Sequence, residues 1–211
     1  FYEYLVPLIK GYSTEMSLEV ASLGVQEHGG AGSIGETGAA QYLRDARILT
    51  IYEGTTAIQA NDFVGRKTAR DGGRTAKAIA AQIAVTEGEL AKLEHVAARA
   101  MAKRLRAARL AFEQVVDFVC AQSKGNPNAV FAGSVPYLLL AGNTVAGWQM
   151  ARALIVALEQ LGSGAGDAEF LRAKVATSHF YADHVLSKVP GMRDAVVEGA
   201  DSVTALALAS F

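Results

Sequence analysis

One carboxylate stands where chemistry is possible. Glu53 follows a short apolar run, Ile48 to Tyr52, and precedes Gly54, Thr55 and Thr56, where an amphipathic helical pattern opens. That order puts an acid on a tight turn just ahead of a helix N-terminus, whose free N–H groups carry partial positive charge. Gly54 lets another backbone or a ligand come close. Apolar residues on the approach side would let a bound ligand strip water from the carboxylate, the condition under which it becomes an effective general base. Taken alone, an acid before a helix is more commonly a capping or dipole-complementing group. The turn by itself leaves both readings open.

A second stretch carries a different chemistry. Gln26-Glu27-His28-Gly29-Gly30-Ala31-Gly32 ends one helical pattern in a glycine-rich turn. Backbone N–H groups of such a turn suit phosphate or adenosine contacts, although a glycine-rich loop is by itself usually a connector. Two other clusters promise less. His179 and His184 lie five apart and do not share a helix face well, and no metal site is expected there. Lys103, Arg104, Arg106 and Arg109 sit among acids on one helix and read as a solvated face rather than an anion site.

The two stretches together resemble the acyl-CoA dehydrogenases. Tyr52-Glu53-Gly54-Thr55, preceded by Leu43-Arg44-Asp45-Ala46-Arg47-Ile48, is similar to that family's C-terminal signature, and Gln26-x-x-Gly29-Gly30-x-Gly32 to its upstream turn. The clear resemblance runs from about Tyr12 to Gly73, and the remainder resembles the extra helical domain of the long bacterial subgroup, which includes broad-specificity and methylthiopropanoyl-CoA dehydrogenases. The resemblance implies an enzyme in which a glutamate, here Glu53, removes the pro-R α-proton of an acyl-CoA while the β-hydride passes to N5 of FAD. The product is a trans-2-enoyl-CoA. The amide of the glutamate and a flavin ribityl hydroxyl polarise the thioester carbonyl in that family. Gly54 would lie against the thioester, and Thr55 matches a flavin contact. Gln26, Gly29 and Gly30 match the turn that reaches the FAD of a neighbouring subunit. The resemblance further implies a homodimer or higher homo-oligomer and electron-transfer flavoprotein as acceptor. Ala57 replaces a polar residue that many members use to hold FAD, and Gly35 an acid common in the subgroup. Glu36 and Arg44 match family positions with structural roles.

The elements that must position these groups read as all-α, an antiparallel helical bundle. A helix over Phe1 to His28 has apolar positions that include Tyr4, Leu8, Tyr12, Val20 and Leu23, with Gly24 as a close-packing point. A short helix over 39–46 takes Thr37 as N-cap, and a helix over 55–70 buries Ile58, Phe63 and Val64. Asp71-Gly72-Gly73 breaks the pattern, which divides the chain into a dehydrogenase-like segment, 1–73, and a helical extension, 74–211. In the extension, a helix over 75–86 meets a possible bend at Glu87-Gly88-Glu89. A seam of Met101, Leu105, Ala108, Phe112, Val115 and Val119 then alternates steps of four and three. Ser134 opens a long helix with Trp148 in the core, and Asp167 caps another, which Pro190-Gly191 ends.

Composition bounds the rest. Net charge is −1, which offers nucleic acid no basic footprint. The single cysteine, Cys120, rules out an internal disulfide framework and suits a reducing, cytoplasmic setting. No run is apolar and long enough for membrane insertion. The chain opens with Phe1 inside a helical pattern, as a fragment of a larger protein would, and such a fragment is expected to be inactive alone. Two alternatives remain: a non-catalytic flavin-binding relative of the alkylation-response kind, for which a basic face would speak, and a helical assembly module, the better account of 75–211 taken alone.

Overall fold

Helix is the only regular structure among the described residues. The computed structural model describes residues 1–210. The first rod is α1 (Tyr2–Pro7), a π turn (Leu8–Tyr12) and α2 (Ser13–Glu27), continuous in right-handed helical backbone. Pro7 has no N–H to give the ladder, and the spacing widens to the π register directly after it. Two 3-10 turns, Gly29–Ser33 and Gly35–Thr37, lead into α3 (Ala39–Leu49). After the Glu53 turn, α4 (Thr56–Asp62) continues through a second π turn, Phe63–Ala69.

The extension comprises α5 (Arg74–Leu90), α6 (Val96–Gln122), α7 (Pro127–Ala132), α8 (Ser134–Ser163), α9 (Ala168–His184), α10 (Val189–Val197) and α11 (Ala200–Thr204). Helix α6 packs on α5, α8, α9 and α10, and α8 packs on α9, α4 and the first π turn. Every position of the α6 seam from Met101 to Val119 is fully buried, because its steps of four and three keep one stripe facing the bundle. Asp167 caps α9 by accepting the N–H groups of Glu169 and Phe170. Trp148 packs against the core and donates its indole N–H to Thr86 Oγ1 at 2.9 Å.

One buried cluster joins both sides of Gly73. Tyr4, Leu8 and Phe63 share it with Ala76, Met101, Tyr137 and Leu138. The Phe63 ring lies 4.8 Å from those of Tyr4 and Tyr137, and the Tyr137 hydroxyl is 3.0 Å from Thr68 Oγ1 and 3.4 Å from the Tyr4 hydroxyl. Three buried hydroxyls satisfy one another there.

Several local expectations are corrected. Ile58 is 58 % exposed, and α2 buries no residue at all, with Val20 at 66 % and Leu23 at 57 %. Their periodicity is amphipathic, but within this chain α3 packs along α2 without burying Val20 or Leu23. Gly24 packs against nothing: a β-carbon there would meet no atom within 4 Å. Thr37 spends its hydroxyl on the carbonyls of Ala31 and Ile34, and α3 starts from Gly38 without a side-chain cap. Helix α5 runs straight through Gly88, and the break falls at 91–95, where His95 Nδ1 caps α6. Pro190 sits in the first turn of α10 and so begins a helix instead of ending one, as suits a residue lacking an N–H.

Candidate active site

The Glu53 turn is built from its two ends inward. Helix α3 stops at Leu49, and the N–H of Thr56 donates to the carbonyl of Thr50 at 3.3 Å, which closes a loop over 51–55. Thr50 is buried at the neck, and its hydroxyl caps back onto the carbonyl of Arg47. At the far end Thr55 Oγ1 accepts the N–H of Ile58 and is the N-cap of α4. Thr56 donates its hydroxyl to the carboxylate of Glu15, which ties the start of α4 to α2.

Glu53 therefore is not the cap; Thr55 is. The carboxylate is exposed, makes no hydrogen bond or ion pair among the described residues, and is carried on a backbone with φ of +50°, the one left-handed non-glycine residue among them. Gly54 follows at φ +101°, a conformation for which glycine is required, and a β-carbon there would come within 2.6 Å of Gln59 Nε2. Ile51 and Tyr52, on the approach side, are about half exposed and form an apolar rim beside the acid.

A cation missed in the sequence reading braces this turn. Lys10, in the first π turn, donates from Nζ to the carbonyl of Leu49 at 2.5 Å and stands 4.9 Å from the centre of the Tyr52 ring. Lys10 is the first Lys or Arg of the chain and none follows until Arg44, but nothing in that spacing points to Leu49 or Tyr52 as its partners. Its neighbours Leu8 and Tyr12 belong to the apolar positions of the same helical pattern.

Gln26, Gly29 and Gly30 are brought to a different place. All three are exposed at the C-terminal end of α2, and Gly29 takes a left-handed φ of +58°. A β-carbon on Gly29 or Gly30 would meet no atom within 4 Å, so the backbone there is open to approach. This turn packs near the start of α3 and the Glu53 turn follows its end. The two candidate sites are thus separated by the 11 residues of α3, about 16 Å of helix. Between them runs an open, mostly apolar groove of about 690 Å³, lined among others by Val20, Gly24, Tyr42 and Ala46.

The remaining clusters hold no comparable arrangement. Arg109 is paired with Glu87 and Glu113, and Arg104 with Asp183, which spends two of the four cations of the basic cluster. An acid does accompany the histidines: His179 Nε2 lies 3.3 Å from Asp183. Among the described residues, however, no three His, Cys, Asp or Glu side chains converge as a metal set.

Comparison with known proteins places this architecture. The family described as "Acetyl-CoA dehydrogenase C-terminal like" matches residues 75–207, and "Acyl-CoA dehydrogenase, C-terminal domain" matches residues 3–67. The chain is 52% identical over 206 residues to a 3-methylmercaptopropionyl-CoA dehydrogenase of Ruegeria pomeroyi, covering 98% of this chain and 35% of the relative. It is 32% identical over 214 residues to a broad-specificity linear acyl-CoA dehydrogenase of Mycobacterium tuberculosis, covering 95% and 34%. A shorter match, 42% identical over 52 residues, covers 25% of this chain and 14% of a caffeyl-CoA reductase–Etf complex subunit of Acetobacterium woodii. The chain spans about a third of the length of the first two.

Proposed function

The chain belongs to the acyl-CoA dehydrogenase family, and from that premise we propose that it is the C-terminal portion of a FAD-dependent enzyme that converts an acyl-CoA thioester to its trans-2-enoyl-CoA, with Glu53 as the general base. The observation that carries this is the release of Glu53 from every structural duty. Thr55 caps α4, Thr50 closes the loop, and the acid is left unpaired on a strained, braced turn. An acid kept for the helix dipole would have no reason to hold a left-handed backbone.

In the proposed reaction Glu53 takes the α-proton, and the α-carbon electron pair forms the new double bond as the β-hydrogen leaves with its two electrons. FAD, when bound, supplies the acceptor for that hydride. The residues here fit such a group. Gly29 and Gly30 present open backbone, Gln26 projects at the same helix end, and Thr55, which only accepts from Ile58, keeps its hydroxyl hydrogen for an outward partner. Gly54, next to the base, is the residue against which the thioester would lie, with the Gln59 amide filling the space on its β-carbon side, and the rim of Ile51 and Tyr52 is apolar surface that an acyl chain would cover, excluding water from the carboxylate. The length of α3 between the two sites supports an assembly in which Gln26, Gly29 and Gly30 serve the cofactor of another copy, hence a homo-oligomer.

The division at Gly73 is part of the same proposal, supported by the family matches on either side, 3–67 and 75–207. Electron-transfer flavoprotein as acceptor is supported by the relative named as part of an Etf complex. A cytoplasmic setting fits the lone free Cys120; among the described residues no helix is long and apolar enough to cross a membrane.

The test uses the full-length protein. It is expected to purify yellow and to lose its flavin absorbance on anaerobic addition of one or more acyl-CoAs. Glu53→Gln keeps shape and hydrogen bonding but has no proton acceptor, and is expected to lose about 10²- to 10⁴-fold in turnover with flavin content retained. Near-normal turnover in that variant would move the base elsewhere.

A further inference from the structure

We infer that Lys10 is a positioning residue for the Glu53 turn, and that it acts as one side of a clamp whose other side is seated on the extension. The inference rests on the reading of Glu53 as the base.

The outward side of the first π turn touches the catalytic loop at two points. Lys10 Nζ donates to the carbonyl of Leu49, the last residue of α3, and the same ammonium stands over the ring of Tyr52, the residue before Glu53. A helix end leaves its last carbonyls without intrahelical partners, so a cation there both satisfies an acceptor and complements the helix dipole. Contact with the face of Tyr52 fixes the loop one residue from the carboxylate. Together they restrain the entry to the loop, while the Thr56 tie to Glu15 restrains its exit.

The inward side of the same turn is closely packed. A β-carbon on Gly11 would stand 2.6 Å from Leu138 of α8 and 3.3 Å from Gln59 of α4, so the backbone lies directly on both helices. Tyr12 donates its hydroxyl to Asn143 Oδ1 at 3.0 Å, and the Tyr181 hydroxyl lies 3.2 Å from that of Tyr12 and from the Asn143 carbonyl. The ring of Tyr12 occupies the space that a side chain at Gly142 would need. Thr14 donates to the Lys10 carbonyl at 2.7 Å, which satisfies an acceptor within the widened turn. Lys10 faces the loop while Gly11 and Tyr12, the two residues after it, face α8, so one turn of helix contacts both sides. Tyr181 and Asn143 thus hold Tyr12, Lys10 holds Tyr52, and the main chain of one π turn joins the two. The base is the residue after Tyr52.

A general base must be held within a fraction of an ångström of its proton, and a misplacement of about 1 Å can cost 10²-fold. In the full-length protein, Lys10→Met keeps the aliphatic stem and removes donor and charge. It is expected to slow single-turnover reduction of the flavin by acyl-CoA about 10- to 100-fold, with KM and flavin content close to wild type. Lys10→Arg, which restores a cation and a donor, is expected to recover most of the rate. Hydrogen exchange gives a readout independent of turnover: the amides of Tyr52 and Thr56 are expected to exchange faster in Lys10→Met, with α6 unchanged. Should Lys10→Met not fold, Lys10→Gln is read by the same measurements with the same expectation. A wild-type protein that no acyl-CoA bleaches, or full turnover in Glu53→Gln, overturns the proposed function and the role of Lys10 with it. Wild-type bleaching and an inactive Glu53→Gln, beside a Lys10→Met enzyme with the wild-type rate or unchanged exchange over 52–56, overturns the role of Lys10 alone.

Discussion

Glu53 adopts a left-handed backbone that an L-residue with a side chain enters at a cost of about 1–2 kcal/mol. The fold keeps an exposed, unpaired acid there against its own stability, which predicts a separation of stability from activity. Glu53→Gly removes the steric cost and adds unfolded-state entropy of about 0.5–1 kcal/mol. Urea unfolding is expected to show stability unchanged or raised by up to about 1 kcal/mol, while turnover of the full-length protein is lost. A loss of stability would mean that the acid serves the fold. Gly54→Ala runs the other way: φ of +101° and the nearby Gln59 amide make it destabilising by about 1–3 kcal/mol. Residues of this kind were legible in the sequence in unequal measure. The acid and the glycine announced a turn because both the order of residues and the following helix constrain it. That Thr55 rather than Glu53 caps the helix was not legible, since either could. Lys10 was hidden because its partners are a main-chain carbonyl and a ring some 40 positions away, and neither leaves a periodic mark.

Helices packed on several sides were read most faithfully. The α6 seam is flanked by α5, α8, α9 and α10, so its apolar stripe has one possible meaning. The apolar positions of α2 and the start of α4 were misread because periodicity reports an apolar face, not what lies against it; Val20, Leu23 and Ile58 face outward in this chain. The break between α5 and α6 was displaced because Gly88 costs a helix only about 1 kcal/mol, which packing on α6 overrides. The extension is also less separable than its sequence implied. Helix α8 packs on α4 and on the first π turn, and Tyr137 completes the hydroxyl cluster with Tyr4 and Thr68. Tyr137→Phe is expected to leave two buried hydroxyls short of a partner and to lower stability by about 1–3 kcal/mol in chemical denaturation. A protein truncated after Gly73 is expected to be insoluble or unfolded, since Leu8 and Phe63 lose the other half of their cluster. A soluble, helical truncation by circular dichroism would refute that and restore the extension as a detachable module.

At the scale of the whole molecule the same buried hydroxyls set a limit on alkaline stability. Burial raises the titration of Tyr4, Tyr137 and Tyr181 above the ordinary phenol range, and burial with the Tyr181 contact as a smaller opposing influence does so for Tyr12. In each case the folded state holds the proton that the unfolded chain gives up near pH 10. The unfolded state then binds fewer protons than the native one, so stability falls as pH rises, and the contribution is complete below about pH 10 and lost progressively above it. Each tyrosine that stays protonated in the fold adds a slope of about 1.4 kcal/mol per pH unit. The Lys77–Asp117 pair, whose hydrogen bond at 2.7 Å raises the titration of Lys77, acts in the same direction but lies on the surface, where salt screens it. Urea midpoints followed from about pH 8 to about pH 11.5, at low and high salt, separate the two. The expected result is a fall that begins near pH 10 and persists at about 1 M salt, and that is shallower in Tyr137→Phe and Tyr181→Phe by about one proton each. A fall abolished by salt would assign the alkaline limit to surface pairs, and the two hydroxyl clusters that join the dehydrogenase segment to its extension would then be packing without electrostatic consequence.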